Sequence, residues 1–471
     1  MEDYCILWFR KDLRLDDNPA LVAAAKHKYI IPIFIFDNSL DEYKNIGEAS
    51  RWWLESSLVQ LNNDLKNSLR ILKGNSLDVI SNICSEKKVS HVYWNRNYEP
   101  DRIQADTIIK ENLRKNKINV VSFNASLLWE PWTIKNKVGN FYKVFTPFYK
   151  RGCLESEKPR SPIKIPEHLN FFELKTKNSM YKFKLYDSKK KWLNKLKNSW
   201  NTSESAARKL FEKFLKLGAN DYHEGRNFPS KKSVSRLSAY LHWGQISPFR
   251  IWSDANSGMK GNHKDTFLSE IAWREFSYHL LYHFPDINNL NLKRQFDDLQ
   301  WENNEKLLLK WKMGLTGYPI VDAGMRELWQ TGYMHNRLRM ITASFLVKNL
   351  LMHWKHGERW FWDCLVDADL ANNSASWQWV AGTGSDAAPF FRIFNPITQG
   401  QKFDKDAKYI KKYVPELSLL PNNIIFTPWL ADQSTLKNAN IKLGNDYPLP
   451  IVDYTFSRER ALKAFKRIGN N

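Results

Sequence analysis

The sequence is poor in cysteine, with four in 471 residues (Cys5, Cys84, Cys153 and Cys364) and no CxxC pair. That spacing excludes a zinc ribbon and a disulfide framework. No metal is expected, and the thiols read as free, partly buried groups. Long apolar runs are missing too: no stretch reaches the roughly 18 residues of a membrane-spanning helix. The start, Met1–Leu15, is acidic at its tip, and its apolar run is too short for a signal peptide, which points to a cytosolic or nuclear protein. No GxGxxG follows the first expected strand. A dinucleotide site of the fingerprint type is therefore not expected there, and a nucleotide cofactor would have to sit elsewhere. Repeats of the solenoid kind are absent.

What is abundant is positive charge and tryptophan. The formal net charge is +21, which favours a polyanionic partner. Between Pro131 and Trp200, however, 17 Lys and Arg stand against 5 Asp and Glu, a net +12. Over half of the excess thus lies in one lysine-rich segment, which reads as a solvated linker. Twenty tryptophans are many for this length. Most would pack the core, but a row of them can also carry electrons or stack on bases.

Length and composition suggest two domains and a linker. In the first 130 residues, short β-branched and aromatic runs at Tyr4–Phe9, Ile30–Phe36, Leu69–Leu72, His91–Trp94 and Asn119–Phe123 predict strands. Helical patterns lie between them at Pro19–Lys26, Ser50–Lys66, Ser76–Lys87 and Asp101–Lys115, the last opened by Asp101 as N-cap. This alternation predicts an α/β domain at 1–130, a doubly wound parallel sheet of five strands with Rossmann-like layering. Residues 131–200, with Pro131, Pro147, Pro159, Pro162 and Pro166, form a basic connector. From 201 to 471 the pattern is all helical, with expected helices at Ala206–Leu217, Lys264–His283, Asn304–Met313, Ile320–Gln330, Asn336–His353 and Glu358–Leu365.

Four stretches could carry chemistry. In Met334–Met340, Asn336 and Met340 are i and i+4 and share a helix face, an amide beside a soft apolar surface. Arg337 and Arg339 point to different sides. By spacing alone the stretch also reads as a helix with surface arginines and a buried methionine. Glu270, Trp273 and Arg274 share another face and suit a planar polar ligand beside phosphate, or equally an ion pair and a core tryptophan. Asp367–Trp379 reads as an irregular loop of acceptors and donors, or as caps and turns. Ser233–Ser238, running into His242–Pro248, offers hydroxyls and N–H groups for phosphate, or ordinary N-caps.

Together these stretches resemble the photolyase/cryptochrome family over nearly the whole chain. The resemblance begins at Leu7–Pro19. It continues through Tyr142–Phe148 and Gly317–Ala323, and closes with Phe391–Pro396 and Gln399–Asp404. It is nearest to bacterial-type cyclobutane pyrimidine dimer photolyases. The resemblance implies an N-terminal α/β domain, a connector and a helical domain holding FAD in a folded form. Tyr222 and the run Val234, Ser235, Arg236, Leu237 and Ser238 would hold the FAD phosphates, with Val234 standing where the family often has threonine. Asp367, Ala368 and Asp369 would contact flavin and adenosine, and Arg339 would pair with Asp367. Asn373 would face flavin N5, with Asn372 a competing candidate.

For the lesion, the resemblance implies a pocket of Glu270, Trp273, Asn336, Met340 and Trp379 around a flipped dimer, since photolyases are base flippers. Arg226, Arg274, Arg337, Arg392, Gln399 and Lys402 would hold DNA phosphates. Trp377, Trp354 and Trp301 match the family's chain of tryptophans for flavin photoreduction. The implied chemistry is light-driven electron donation from reduced FAD to the dimer, ring splitting and electron return, in UV-damaged DNA. A monomer working in the cytoplasm at the nucleoid is expected. A cryptochrome-type photoreceptor, a (6-4) photolyase and a non-enzymatic nucleic-acid-binding protein are the alternatives. The intact pocket set argues against the photoreceptor, and Asn336 and Met340 in place of histidines argue against the (6-4) enzyme. A second antenna chromophore, methenyltetrahydrofolate, deazaflavin or flavin, stays open, because Arg102 stands where a folate-binding carboxylate is expected. Gly47–Trp53 would line such a site or begin a core helix.

Overall fold

In the computed structural model, which describes residues 3–37, 39–40, 45–172, 184–187, 189–190 and 192–468, five strands form one parallel sheet. They are Tyr4–Phe9 (β1), Tyr29–Phe36 (β2), Arg70–Lys73 (β3), His91–Asn95 (β4) and Asn119–Phe123 (β5), in the order β3-β2-β1-β4-β5. Pro19–Ala24 (α1), Glu48–Asp64 (α2), Ser76–Lys87 (α3) and Pro100–Lys115 (α4) connect them. β1 and β2 are apolar throughout rather than alternating, as strands covered on both faces must be. Ile6, Trp8, Ile31, Ile33, Val92, Trp94 and Val120 form the core with Ile80 of α3 and Ile109 and Leu113 of α4. Pro32 is tolerated in β2 because β3 begins pairing only at Ile33, so Pro32 pairs with β1 alone.

The helix starts follow local chemistry. Asn18 and Asn75 cap α1 and α3, accepting hydrogen bonds from the backbone N–H groups of Leu21, and of Leu77 and Asp78, respectively. The expected cap of α4 is corrected. Glu99 occupies the N-cap and Pro100 the first turn, because proline is preset for that position, and Asp101 falls inside the helix.

Two compact units divide the chain. The first takes residues 1–220, 235–285 and 366–371; the second takes 221–234, 286–365 and 372–471. This partition differs from boundaries at 130 and 200, because polar side chains tie the connector and the next helices to the first domain: Arg160 and the Ile163 N–H of the connector both reach buried Asp17. Arg14, fully buried, donates to the carbonyls of Asp17, Ala125 and Gly244 at 2.9, 2.8 and 2.9 Å. Residues 173–183, 188 and 191 of the connector lie outside the described residues.

The first unit adds Glu204–Leu217 (α5), Pro248–Gly258 (α6) and Gly261–His283 (α7). The second contains Glu305–Met313 (α8), Pro319–Thr331 (α9), Asn336–Ser344 (α10) and Trp354–Cys364 (α11). Leu370–Ala381 (α12) begins in the first unit and runs into the second, which ends with Pro396–Phe403 (α13) and Tyr454–Ile468 (α14).

Two expected elements are corrected. The single helix Asn336–His353 is broken: α10 passes into a π-helical turn, Phe345–Asn349, and Leu351 turns left-handed at φ +54°. Tertiary bonds fix the break. The Leu351 carbonyl accepts from Glu302 N–H at 2.8 Å, and the Asn349 amide donates to Ser457 Oγ at 2.9 Å. The expected loop Asp367–Trp379 is helical from Leu370, where Ala371, Trp377 and Val380 bury and outweigh the polar Asn372–Ser374 run.

Candidate functional site

The crevice where strand order reverses, between β1 and β4, is where open α/β sheets usually take ligands. Here charged side chains fill it. Arg10 pairs with Asp106 at 2.7 Å and donates to the Asn95 carbonyl, Lys11 pairs with Glu99, and the Asn95 amide donates to Asp12 at 2.6 Å. All six are buried. This network stands where glycines would admit a pyrophosphate. Arg102 is buried beside it at 1% exposure.

From this crevice a line of contacts leads to the loop before α12. The Tyr98 and Tyr278 rings lie 6.4 Å apart, and the Tyr278 hydroxyl donates to Asp369 at 2.5 Å. His242 Nδ1 donates to the same carboxylate at 3.0 Å. Burial alone would raise the Asp369 pKa, but His242, Lys11 and Tyr278 together hold it well below the usual carboxylate range. Asp369 is thus a fixed buried negative charge, and Asp367 and Ala368 are buried next to it. In the phosphate-binding candidate run, Ser235 and Arg236 are half-buried, Leu237 is buried and Ser238 is exposed. Arg236 has φ +55° and lays its guanidinium 4.5 Å over Trp200, which leaves its main chain for phosphate.

Glu270 and Trp273 are half-buried on α7, and Trp273 stacks on Phe145 at 3.7 Å and 10°. Phe145 belongs to the Tyr142–Phe148 run, so the connector shapes this face. Arg274 departs from the expectation of a phosphate contact. It is buried and spends its guanidinium on the Ser126 carbonyl at 2.7 Å and on Glu275 at 3.1 Å, within the scaffold.

The second unit holds the other candidates. Asn373 is buried on α12, and its amide donates to the carbonyl and side chain of Glu358 at 3.1 and 3.2 Å. Burial raises the Glu358 pKa to about 7, against the pull of Arg359 and Asn373. Sequence spacing could not reveal this partner, which lies fifteen residues earlier on α11. Arg339 donates to the Met334 carbonyl at 2.8 Å and lies 5.4 Å from the Tyr333 ring. Tyr222 is buried and faces Arg226 at 5.7 Å. Val234 is half-buried.

The tryptophans expected to carry electrons also lie in this unit. Trp354, fully buried, donates to Asn291 at 2.8 Å, and His353 stacks on it at 5.6 Å. Trp301, half-buried, meets His353 edge-on at 5.2 Å, so His353 bridges the two indoles. Trp377 packs on Phe361 at 4.9 Å and Trp311 at 6.3 Å. Trp329 and Trp360 stack at 5.7 Å and 7°, a second pair of half-exposed indoles that the sequence did not single out.

Around α10 the second unit gathers cations. Arg337 bonds Asn227, lies 4.3 Å over Phe403 and reaches Met340 Sδ at 3.9 Å. Burial, then Arg226 and Arg392, lower its pKa, so the three guanidiniums feel one another. His335 caps α10 from Nδ1; burial and Arg337, Arg339 and Arg226 lower its pKa to about 3 and keep it neutral. Asn336 is exposed, Met340 and Trp379 are half-buried, and Arg392 and Lys402 are exposed with Gln399 half-buried between them in sequence.

Each unit carries groups of the kind FAD needs: the first a fixed buried carboxylate, the second an amide locked at one end by Glu358, a half-buried guanidinium and apolar indoles. A family model described as FAD binding domain of DNA photolyase matches residues 267–467, and one described as DNA photolyase matches 5–167. A deoxyribodipyrimidine photo-lyase of Agrobacterium fabrum is 44% identical, over 98% of either chain. Cryptochrome-2 of Arabidopsis thaliana is 36% identical over 99% of this chain and 79% of its own. The crystal structure of a bacterial class III photolyase from Agrobacterium tumefaciens superposes with a TM-score of 0.95 at 43% identity, covering 100% of this chain and 98% of that one. The chain belongs to the photolyase/cryptochrome family.

Proposed function

We propose that this chain binds FAD and uses blue light to split cyclobutane pyrimidine dimers in UV-damaged DNA, working as a monomer in the cytoplasm at the nucleoid. The observation that carries the reading is the cluster of Arg226, Arg337 and Arg392 beside a helix that presents Asn336 and Met340. A photoreceptor has no use for a phosphate-binding surface next to an amide and a soft apolar side chain. When bound, the reduced flavin supplies an electron on excitation.

The protein's own residues bind, orient and exclude. Arg337, Arg392 and Lys402 take backbone phosphates. Trp273, already stacked on Phe145, offers a rigid ring face worth about 1–3 kcal/mol per stacked base. Glu270 in the first unit and Asn336 in the second each carry a polar group suited to a pyrimidine edge. Asn373, its amide NH2 held by Glu358, would be the residue beside flavin N5. Asp369 stays ionised and would accept hydrogen bonds from the nucleotide. Trp301 and Trp354 supply oxidisable rings for flavin photoreduction.

The test is direct. Purified FAD-loaded protein, mixed with DNA containing pyrimidine dimers, should lose dimers under blue light and none in the dark. Tight FAD binding without light-dependent repair would sink the reading in favour of a photoreceptor.

For the antenna chromophore, a specific observation favours one place. Trp52 and Trp53 are buried in α2 as core residues, but Trp53 packs edge-on against Trp200 and Tyr240 at 5.3 and 5.0 Å. These two rings, with Lys209, Leu210, Lys213 and Arg236, line a pocket of about 310 Å³ in the first unit. An aromatic floor under three cations suits a flat ring with an anionic tail, as in a folate or a flavin. Release and mass analysis of the bound pigment, with Trp200→Ala losing it, checks this placement.

A further inference from the structure

Lys348 stands in the π-helical turn between α10 and α11, at 1% exposure. Its ammonium donates to the main-chain carbonyl of Arg392 at 2.9 Å and lies 5.6 Å from the Phe390 ring. Among the described residues no carboxylate pairs with it. A core lysine without a counter-ion is costly, and a methionine would fill the space more cheaply. π-helical turns insert a residue and often mark functional positions.

The segment it grips, residues 382–395, has no helix or strand. Contacts outside its own turns hold it in place. Ala388 N–H donates to Trp379 at 3.1 Å, Phe394 N–H donates to Ser344 Oγ at 3.4 Å, and Phe390 packs on Phe296 and Phe465 at 5.8 and 5.0 Å. Phe391 and Arg392 are exposed at its outer end.

We infer that Lys348 is a positioning residue for DNA binding: its buried ammonium anchors the Arg392 loop, and a phosphate on Arg392 completes the missing counter-charge, so that binding DNA favours the protonated lysine. The inference rests on reading Arg392 as a phosphate contact. In the free protein, burial and the neighbouring Arg392 lower the Lys348 pKa to about 7. A phosphate arriving at Arg392 raises it again, so the complex takes up a proton at pH values above about 7, and affinity falls as pH rises through that range. Other charged groups stand near the turn. Arg460 on α14 donates to the Asn349 carbonyl at 2.8 Å and pairs with Glu302 at 3.4 Å, and His353, following the turn, is neutral because burial holds its pKa to about 4.

The experiment uses full-length FAD-loaded protein and a duplex carrying one thymine dimer, in the dark at fixed ionic strength. Wild-type affinity should weaken by about threefold to tenfold from pH 6.5 to 8.5. Calorimetry at pH 7.5 in two buffers of different ionisation enthalpy should show proton uptake. Lys348→Arg should bind like wild type at pH 6.5 and stay flat with pH, because guanidinium does not titrate. Lys348→Met should bind weakly at every pH, also flat. Wild-type binding without proton uptake overturns the inference even if both variants fail to fold. So does a Lys348→Arg variant that keeps the wild-type pH slope. Arg392→Ala separates the two readings. If it weakens binding while the Lys348 variants behave as wild type, only the lysine's role fails. If Arg392→Ala itself binds as wild type, the phosphate reading of Arg392 fails, and the inference with it.

Discussion

Asn373 shows how much of this site depends on residues that no motif contains. Its own identity is legible in the run Asp367–Trp379, but an asparagine amide can turn either way, and the Glu358 carbonyl and carboxyl, accepting from its NH2, decide which way it faces. An unfolded glutamate loses its proton near 4.5, whereas buried Glu358 keeps it to about 7. The stability contributed by the neutral carboxyl is therefore full below about pH 4.5 and is lost as pH rises through 7. Glu358→Gln keeps an acceptor oxygen for Asn373 and cannot ionise. The variant should equal the parent in urea near pH 4.5 and exceed it by up to about 3 kcal/mol at pH 8. A difference that does not change with pH rules out this role for Glu358. On the same helix, Gly357 admits no side chain: a Cβ there would sit 2.0 Å from Trp377 Cη2 and 2.7 Å from Leu346. Gly357→Ala should cost about 1–3 kcal/mol in thermal or urea unfolding and push Trp377 out of place.

At the scale of elements, the strands were legible because buried parallel strands are written in unbroken Val, Ile and aromatic runs, and β1 and β5 fall where those runs predict. Elements that depend on tertiary bonds were not legible. Nothing in Asn336–His353 signals that Leu351 must turn left-handed, since the cause is a hydrogen bond from distant Glu302. That break has consequences. It lets His353 cap α11 through Nδ1 at 3.2 Å and brings its ring between Trp301 and Trp354. Trp301→Phe should slow light-driven reduction of oxidised FAD by about tenfold or more, roughly the rate cost of 1.4 kcal/mol or above on the barrier. Dimer repair by chemically reduced protein should be unchanged, because that path feeds the flavin and not the lesion. Equal photoreduction rates in the variant and the parent would move the electron route elsewhere, and the stacked Trp329 and Trp360 are the next pair to replace.

For the whole molecule, charge is the property easiest to misread. The +21 total suggests a protein that grips DNA everywhere, yet a net +12 sits between Pro131 and Trp200. Lys135, Lys137, Lys150 and Lys158 of that segment are exposed side chains, whereas Arg226, Arg337 and Arg392 influence one another within the second unit. The two populations should separate by salt. Each phosphate neutralised on duplex DNA contributes about 0.9 to the slope of log affinity against log salt, so Arg337→Ala or Arg392→Ala should each lower that slope by about 1. Replacing the four connector lysines by glutamine should weaken binding to undamaged and dimer-containing duplexes by the same factor. The ratio of the two affinities would then stay fixed, because diffuse charge contributes to encounter without reading the lesion. Binding titrations from 50 to 200 mM salt on paired duplexes measure both quantities. A quadruple variant that loses discrimination between damaged and undamaged DNA would show that the connector, and not the arginine cluster, reads the lesion.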